Sequence, residues 1–389
     1  MKKSTLILFV LIAVFAAVTF VACNPDGIPV RSVTLNIDST FMKTGEAKTL
    51  YATVRPADAA DTSVSWTSSD EGVATVDQNG KVTAVATGKA VITVTSNFDN
   101  TKKASCTVNV YDPYSTPLTL ELIEAGDFTI SLSKFSGPKV YYSFNGGERK
   151  EITGLSVKFE NCSAGDKIEL YRDVTPLLPS CSIGCSSDCY VYGNVMSMVD
   201  SDDFETLDEV PEKAFQALFK GNEHIQNHPD YGLVLPATTL ADYCYESMFY
   251  RCSGLTKAPE LPAKTLAGYC YSSMFSYCSS LIKAPELPAT TLADHCNYRM
   301  FEYCTGLTES PVLSAKILVD YCYEEMFEGC ENITSITCLA TDVSAEGCTD
   351  YWVYGLHDQG TFYKDPSMDW DTGYSKVPAG WEIKDYPTK

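Results

Sequence analysis

The chain has 389 residues, a formal net charge of −21 at pH 7 and 16 cysteines. A protein that binds nucleic acid needs clustered lysine and arginine to displace counterions, so the acidic balance excludes nucleic acid as a partner. The length allows two or three domains, and the acidity suits a solvated protein at a cell surface.

The N-terminal residues predict export. A short positive start precedes an apolar run from Leu6 to Ala22, and Cys23 follows. A charged start, an apolar core and a small residue before the cut site are typical of a secretory signal. The tetrapeptide Phe20–Cys23 resembles the lipobox of bacterial lipoproteins, in which the cysteine becomes the lipid-modified first residue. We expect a signal peptide over residues 1–22, lipidation at Cys23 and a lipid-anchored position at the outer membrane or cell surface. A transmembrane helix is the alternative, because the run is nearly long enough to cross a bilayer.

After a linker at residues 23–30, residues 31–111 predict a β-sandwich. Apolar and polar residues alternate in short runs, as in half-buried strands, and turn residues separate these runs. Asp77–Gly80 is one such turn, with a glycine that tolerates positive φ. The runs from Val64 to Val76 and from Gly80 to Ala90 resemble the bacterial immunoglobulin-like (Ig-like) domain of group 2. In that family such modules mostly act as spacers or adhesive units on cell surfaces.

Residues 116–175 predict a small β-domain, to which the sequence assigns no activity. Alternating apolar residues at Leu118–Leu122, Phe128–Leu132 and Val140–Phe144 indicate strands, and the following Asn-Gly-Gly indicates a hairpin. The proline, serine and cysteine residues at 176–190 predict an irregular connection.

A repeat with a period of 26 residues organises residues 191–352. Columns of identical residues indicate stacked units that share one interior. Within one unit, Leu266, Cys270 and Met274 have the spacing of a helical stripe that faces inward. Segment 283–288 predicts a short extended strand, because proline does not fit helix geometry there. The columns contain Leu235, Leu261, Leu287, Leu313 and Leu339, then Met248, Met274, Met300 and Met326, and beside them Phe249, Phe275, Phe301 and Phe327.

The pattern Met-Phe-x-x-Cys-x-x-Leu followed by Leu-Pro resembles the BspA-like leucine-rich repeat of surface proteins from Bacteroides-type bacteria. That resemblance implies an α/β leucine-rich-repeat solenoid, and we expect residues 353–389 to cap its open end. The predicted fold class is therefore multidomain: an all-β Ig-like sandwich, a small β-domain and an α/β leucine-rich-repeat solenoid, in that order.

Two cysteine columns follow the same repeat, and three interpretations are open for them. Buried thiols behave as small hydrophobic groups, so the columns can be ladders in the core. Disulfides between neighbouring units are the second interpretation. Zinc is the third, although it needs four converging ligands and the columns run along the stack. Cys181, Cys185, Cys189 and Cys338 lie outside the columns and are better disulfide candidates. The columns are Cys244, Cys270, Cys296, Cys322 and Cys348, and Cys252, Cys278, Cys304 and Cys330.

The sequence offers little for catalysis. Only four histidines occur, and His295 falls in a column otherwise occupied by tyrosines. The sequence contains no motif typical of serine hydrolases, zinc proteases or P-loop proteins. We therefore expect a protein that is not an enzyme and that uses no cofactor or metal.

The candidate binding residues are surface side chains whose identity the fold does not demand. Charge varies along one column of the extended segment, which an interior does not tolerate without pairing. Tyrosines could stack on sugars or protein surfaces, with ordinary packing between units as the alternative. We expect binding of a host or cell-surface protein, with the Ig-like domain as a stalk and the lipid anchor as the sole membrane contact. The alternative is glycan capture in polysaccharide uptake. The candidates are Lys257, Lys283, Glu309, Glu260, Glu286, Tyr243, Tyr269 and Tyr321.

Overall fold

The computed structural model describes residues 27–133, 139–173 and 181–387. The chain divides into two compact units, Met1–Asp112 and Pro113–Lys389. The predicted signal peptide and Cys23 lie outside the described residues. Within the described ranges, no helix is long and apolar enough to cross a membrane.

The first unit is built from strands around one apolar core. Strands β2, β9, β8 and β5 form one sheet in that order, β1 pairs with β4, and β3, β7 and β6 form a third sheet. Trp66, Ile92 and Val108 are buried between them. The Ig-like domain predicted for residues 31–111 is confirmed. Its strands are β1 (Ser32–Leu35), β2 (Ser39–Lys43), β3 (Ala47–Thr49), β4 (Ala52–Arg55), β5 (Val64–Ser68), β6 (Ala74–Val76), β7 (Lys81–Ala84), β8 (Gly88–Ser96) and β9 (Lys103–Tyr111).

The predicted turn between β6 and β7 forms, and its residues explain why. The Asp77 carboxylate accepts the N–H groups of Asn79 at 2.8 Å and Lys81 at 2.9 Å. Gly80 has a φ of 80°, and a Cβ there would lie 2.5 Å from the Leu50 carbonyl oxygen. Only glycine combines this φ with this close approach.

The second unit begins with a two-sheet β-domain. One sheet has the order β13, β12, β15, β10, β17 and β18, and the other has the order β14, β11 and β16. The strands predicted at 118–122, 128–132 and 140–144 are confirmed. The strands are β10 (Leu118–Leu122), β11 (Gly126–Leu132), β12 (Val140–Phe144), β13 (Lys150–Glu151), β14 (Ser156–Cys162), β15 (Lys167–Arg172), β16 (Cys181–Cys185), β17 (Cys189–Asn194) and β18 (Ile225–Asn227).

The irregular connection predicted at 176–190 is wrong for the described part of that segment, which contains β16 and the start of β17. Strand β16 pairs with β11, and β17 pairs with β10 in the sheet centre. Strand β17 also pairs in parallel with β18, so the sheet continues toward the repeats. The sequence signal was weak because serine, glycine and cysteine dilute the apolar alternation of these strands.

The predicted α/β leucine-rich-repeat solenoid is wrong. Within residues 27–133, 139–173 and 181–387, the only helix is a short 3-10 helix at Val195–Met198, and the remaining regular structure is β. The helical stripe at 266–274 does not form, because residues 268–277 are consecutive turns. Leu266, Cys270 and Met274 nevertheless face inward and are buried. The last strands are β19 (Leu233–Val234), β20 (Glu309–Leu313), β21 (Ser335–Cys338), β22 (Thr361–Lys364) and β23 (Glu382–Asp385).

A left-handed residue at every fourth position prevents the helix. Tyr243, Ser247 and Arg251 have φ values of 58°, 53° and 60°, and the same positions recur in the following units. An α-helix of L-residues does not accommodate this conformation, which costs roughly 1–2 kcal/mol per residue. The spacing of four in the sequence therefore reports a repeated turn.

The backbone hydrogen bonds of these turns alternate in direction. The Met248 N–H donates to the Tyr245 carbonyl of its own unit at 3.2 Å, whereas the Phe249 N–H donates to the Met274 carbonyl of the next unit at 2.9 Å. An α-helix would keep all these bonds within its own segment. Each unit instead depends on its neighbour to satisfy half of its turn N–H groups.

Residues 235–354, the repeat region, are held together by columns of identical side chains. Phe249 and Phe275 stack with ring centroids 5.5 Å apart, and Phe301 lies 5.8 Å beyond Phe275. The methionine column and most of the leucine column are also buried. At the end of the region Trp370 stacks on Trp352 at 5.8 Å, and β20 to β23 form a parallel sheet beside the turns.

Candidate functional site

The structure brings the five charged candidates together on the sheet side of the repeat region. A cleft of about 420 Å³ includes Lys257, Glu260, Lys283 and Glu286 in its lining. A second cleft of about 470 Å³ includes Lys283, Glu286 and Glu309. Because the two clefts share lining residues, they form one continuous surface, here called the sheet-face groove.

The lysines and glutamates occupy neighbouring positions in adjacent units. Lys257 and Lys283 are partners in a parallel β-bridge, and both are exposed. The Asn227 side chain accepts the Lys257 N–H at 2.9 Å and donates to its carbonyl at 2.8 Å, which fixes the backbone at the first position. Like charges on neighbouring strands are destabilising, so stability does not explain why these two lysines lie side by side.

The floor of the smaller cleft is apolar. Ala258, Pro259, Ala284 and Pro285 are buried between the charged side chains. Prolines contribute no N–H groups to a sheet, and within segments 257–262 and 283–288 the strand pairing is limited to the Lys257–Lys283 bridge. The groove therefore offers apolar contact area with positive and negative groups at its sides.

Two tyrosines of the groove were missed by the sequence analysis. Tyr363 and Tyr386 belong to the lining of the larger cleft, with ring centroids 6.5 Å apart. Tyr363 lies on β22 and Tyr386 directly follows β23. No repeat column contains them, so only the parallel pairing of β20, β21, β22 and β23 places them on the same sheet as Glu309.

The three tyrosine candidates form a different, closed feature. Tyr243 stacks on Tyr269 with ring centroids 4.8 Å apart, Tyr269 stacks on His295 at 4.4 Å, and His295 stacks on Tyr321 at 4.7 Å. The inner rings are thus covered on both faces. A sugar that packs on an aromatic face finds no free face within this column.

Both ends of this tyrosine column are also covered. Lys213 Nζ lies 5.1 Å from the centre of the Tyr243 ring. The Tyr321 ring lies against Gly347, which occupies the same repeat position one unit later. The ring leaves no room for a Cβ on Gly347. The alternative of ordinary packing between units therefore describes Tyr243, Tyr269 and Tyr321.

The thiols of the second cysteine column are hydrogen-bond donors. Cys278 Sγ lies 3.1 Å from the Phe249 carbonyl oxygen, and Cys304 Sγ lies 2.9 Å from that of Phe275. Each thiol thus satisfies a carbonyl of the preceding unit. Burial raises the pKa of the Cys278 thiol to about 12 and keeps it neutral. The members of both columns are free, buried thiols, as the ladder interpretation expects.

The four disulfide candidates divide into a pair and two thiols. Cys185 and Cys189 form a disulfide that links the end of β16 to the start of β17, with Cα atoms 6.6 Å apart. Cys181 and Cys338 are buried free thiols. Two of the four disulfide candidates therefore pair with each other.

One cluster of three glutamates has the spacing of cation ligands. Among the described residues, Glu302, Glu325 and Glu328 place carboxylate oxygens within 4.8 Å of one another. Arg299 Nε lies 2.5 Å from the Glu325 carboxylate, and the Ser276 hydroxyl donates to Glu302 at 3.3 Å. Two of the three carboxylates already have protein partners, so we interpret the group as an ion-pair network.

Comparison with known proteins concerns the first unit. Residues 29–108 match the family model of the bacterial Ig-like domain (group 2). An uncharacterized protein of Clostridium acetobutylicum is 42% identical over 81 residues, which is 21% of this chain and 20% of that protein.

Two similar proteins are glycosidases of bifidobacteria. A 3-O-alpha-D-galactosyl-alpha-L-arabinofuranosidase of Bifidobacterium longum is 48% identical over 69 residues, 18% of this chain and 6% of the enzyme. A lacto-N-biosidase of Bifidobacterium bifidum is 49% identical over 76 residues, 20% of this chain and 7% of the enzyme. The chain thus spans a fifth or less of the length of these relatives, and the shared segments are Ig-like. Residues 29–108 are a bacterial Ig-like domain of group 2.

Proposed function

We propose that this protein binds a polypeptide of a host or neighbouring cell through the sheet-face groove. The observation that carries the proposal is the convergence of five charged side chains on one surface with an apolar floor. The Lys257–Lys283 pair supplies concentrated positive charge in a chain whose net charge is −21. Placing these like charges side by side costs stability, so a partner that neutralises them gains affinity.

The chemistry of the groove favours a polypeptide over a sugar. A protein segment offers apolar side chains for the proline and alanine floor, acidic groups for Lys257 and Lys283, and basic groups for Glu260 and Glu286. Complementary charges of both signs give specificity and fix the register of an extended segment. A neutral sugar could form hydrogen bonds with these groups but would neutralise neither row of charges.

We further propose that the protein is lipid-anchored through Cys23, with the Ig-like domain as a stalk and binding rather than catalysis as its activity. The apolar run before Cys23 and the family of residues 29–108 support the surface location. If Cys23→Ser leaves the protein in the membrane fraction, the lipid anchor is excluded.

The test of the groove uses the full-length chain and two paired variants. Lys257→Ala with Lys283→Ala removes the positive row, and Lys81→Ala with Lys89→Ala removes two exposed lysines of the Ig-like domain. Binding is measured against immobilised extracellular matrix proteins, with unfolding followed in parallel. We expect the first pair to weaken binding on the order of tenfold or more. Stability should change by less than about 0.5 kcal/mol per exposed site. Equal affinity of the two variants would exclude the groove as the binding surface.

Glycan capture is the second candidate function, and the comparisons favour it. The Ig-like segment is similar to segments of two glycosidases. Such a module accompanies carbohydrate chemistry in those proteins. Retention of the full-length chain on a neutral polysaccharide matrix, with no binding to matrix proteins, would favour this candidate over the first.

A further inference from the structure

Four exposed tyrosines lie close together at the C-terminal end of the repeat region. The exposed fractions are 38% for Tyr303, 54% for Tyr351, 45% for Tyr354 and 67% for Tyr374. The Tyr354 ring centre lies 6.3 Å from that of Tyr351 and 5.3 Å from that of Tyr374. These four residues are called the tyrosine patch, and a concentrated exposed apolar surface of this kind marks a contact site.

Tyr303 joins the patch through the backbone of the next unit. Its ring lies over Gly329, where a Cβ would approach a ring carbon to 2.5 Å. The Gly329 N–H donates to the Tyr354 carbonyl at 2.8 Å. Tyr303 and Tyr354 therefore lie in the turns of the two units on either side of the Gly329 unit.

Three members of the patch contrast with the closed tyrosine column, whereas Tyr303 stacks in parallel on Tyr277 with ring centroids 4.9 Å apart. In that column the rings are stacked in parallel, so neighbours cover their faces. Tyr354 instead meets Tyr351 and Tyr374 at interplanar angles of 82° and 72°. Perpendicular contacts, together with the large exposed fractions, leave ring faces open to solvent, and an open ring face is what packs against the C–H groups of a sugar.

The backbone below the patch is held in place. The Tyr351 N–H donates to Ser375 Oγ at 3.2 Å, and Trp352 Nε1 donates to the Lys376 carbonyl at 2.7 Å. These bonds tie the segment that carries Tyr374 to the last repeat unit. A preorganised surface loses less conformational freedom when a ligand binds.

Acidic side chains border the patch. The Tyr303 N–H donates to the Glu328 carbonyl at 2.7 Å, and the Glu328 carboxylate raises the pKa of the Tyr303 phenol. Asp350 is exposed and directly precedes Tyr351. Carboxylates accept hydrogen bonds from sugar hydroxyl groups, whereas the net charge of −21 repels anionic chains. Aromatic faces beside hydrogen-bond acceptors thus fit a neutral glycan.

We propose that the tyrosine patch is a binding site for a neutral polysaccharide chain, with Tyr351 and Tyr374 as the stacking residues and Asp350 and Glu328 as hydrogen-bond acceptors. This inference rests on the glycan-capture candidate and assigns it a place distinct from the sheet-face groove.

The test measures retention of the full-length chain in gels that contain arabinan, arabinogalactan or xylan, with polygalacturonate as the anionic comparison. Tyr351→Ala with Tyr374→Ala removes the two most exposed rings of the patch. Tyr51→Ala is the matched control, because Tyr51 is 66% exposed but belongs to the Ig-like domain. We expect a neutral polysaccharide to retard the wild-type chain, the double variant to bind about tenfold more weakly or worse, and the control to bind as the wild type does.

Three results would overturn the proposal. If no neutral polysaccharide retards the wild-type chain, glycan capture and its site fail together. If the double variant and Tyr51→Ala bind equally, the protein captures glycans but not at the patch. If polylysine binds in a manner that depends on Tyr351 and Tyr374 while neutral chains do not, the patch recognises a cationic polypeptide. The groove variant Lys257→Ala with Lys283→Ala should bind polysaccharide as the wild type does, which separates the two surfaces.

Discussion

The Ig-like domain and the repeat region bury their side chains in different ways. In the Ig-like domain, Trp66, Ile92 and Val108 come from different strands and meet between sheets. In the repeat region, Phe275 packs between two copies of itself, Phe249 and Phe301. A side chain of the repeat region therefore stabilises the units on both sides of it. One substitution in a column of the repeat region should therefore disturb three units at once.

The strongest test of this difference is Phe275→Ala in the centre of the column. The substitution removes a fully buried ring and its two stacking contacts. We expect the free energy of unfolding of the second unit to fall by about 3–5 kcal/mol. Chemical denaturation followed by the fluorescence of the full chain measures this. A loss below about 1 kcal/mol would show that the column does not hold the units together.

A smaller effect is expected from Gly329→Ala, with Gly221→Ala as the control. Both glycines have positive φ, 70° and 77°, and both donate their N–H to a tyrosine carbonyl of the next unit. A Cβ at Gly329 meets the Tyr303 ring, whereas a Cβ at Gly221 meets nothing within 4 Å. Because backbone strain is common to both, the difference isolates the ring contact. We expect Gly329→Ala to lower the free energy of unfolding by about 1–3 kcal/mol more than Gly221→Ala does. Equal thermal stability of the two variants would contradict the close approach of Tyr303.

For Cys278→Ala in the thiol column, we expect the free energy of unfolding to fall by roughly 1–2 kcal/mol, through lost burial and a small cavity. The hydrogen bond to the Phe249 carbonyl is lost as well. Because burial raises the pKa of this thiol to about 12, alkylation at neutral pH should occur only after unfolding. Mass spectrometry without reduction is the measurement. Disulfides among most of Cys252, Cys278, Cys304 and Cys330 would exclude the thiol ladder.

The smallest expected effect is the pH dependence introduced by Glu328. Partial burial, and then hydrogen bonding and repulsion from Glu325, raise the pKa of Glu328 to about 7. The folded state therefore holds the proton more tightly than the unfolded state, where the carboxyl titrates near 4.5. Its stabilisation is full below about pH 4.5 and is lost as pH rises to about 7.

Solvent screening limits this contribution to below about 1 kcal/mol, because much of Glu328 is exposed. Thermal unfolding of the wild type and Glu328→Gln between pH 4 and pH 8 measures it. The variant should lose part of the pH dependence in that window. An identical slope for both chains would show that Glu328 titrates normally.

Sequence patterns predicted the Ig-like domain well because period-two alternation belongs to β-strands alone. They also predicted which repeat columns face inward, since Leu266, Cys270 and Met274 are buried. The interpretation as a helix was wrong because a spacing of four fits both an α-helix and a four-residue turn. What separates the two is the direction of hydrogen bonds such as that from Phe249 to Met274, and no local pattern encodes that direction.

The surfaces were predicted in part. The alternation of charge at Lys257, Lys283 and Glu309 identified exposed positions that line the sheet-face groove. Tyr363 could not be assigned to it, because its place in the sheet that contains Glu309 depends on the parallel pairing of β22, a strand outside the repeat. Tyr374 was missed for the same reason, since its contact with Tyr354 joins residues from different segments.

The central claim is that the repeat region is built from turns and strands that bond across units rather than from helices. Far-ultraviolet circular dichroism of the full-length chain in detergent tests this most directly. A chain that lacks residues 1–22 is measured in parallel, so that the contribution of these residues can be subtracted. We predict a spectrum of β and turn structure, without the double minimum of an α-helix from residues 235–354. A helical signal that survives removal of residues 1–22 would contradict the account if it is lost in the same unfolding transition that Phe275→Ala destabilises.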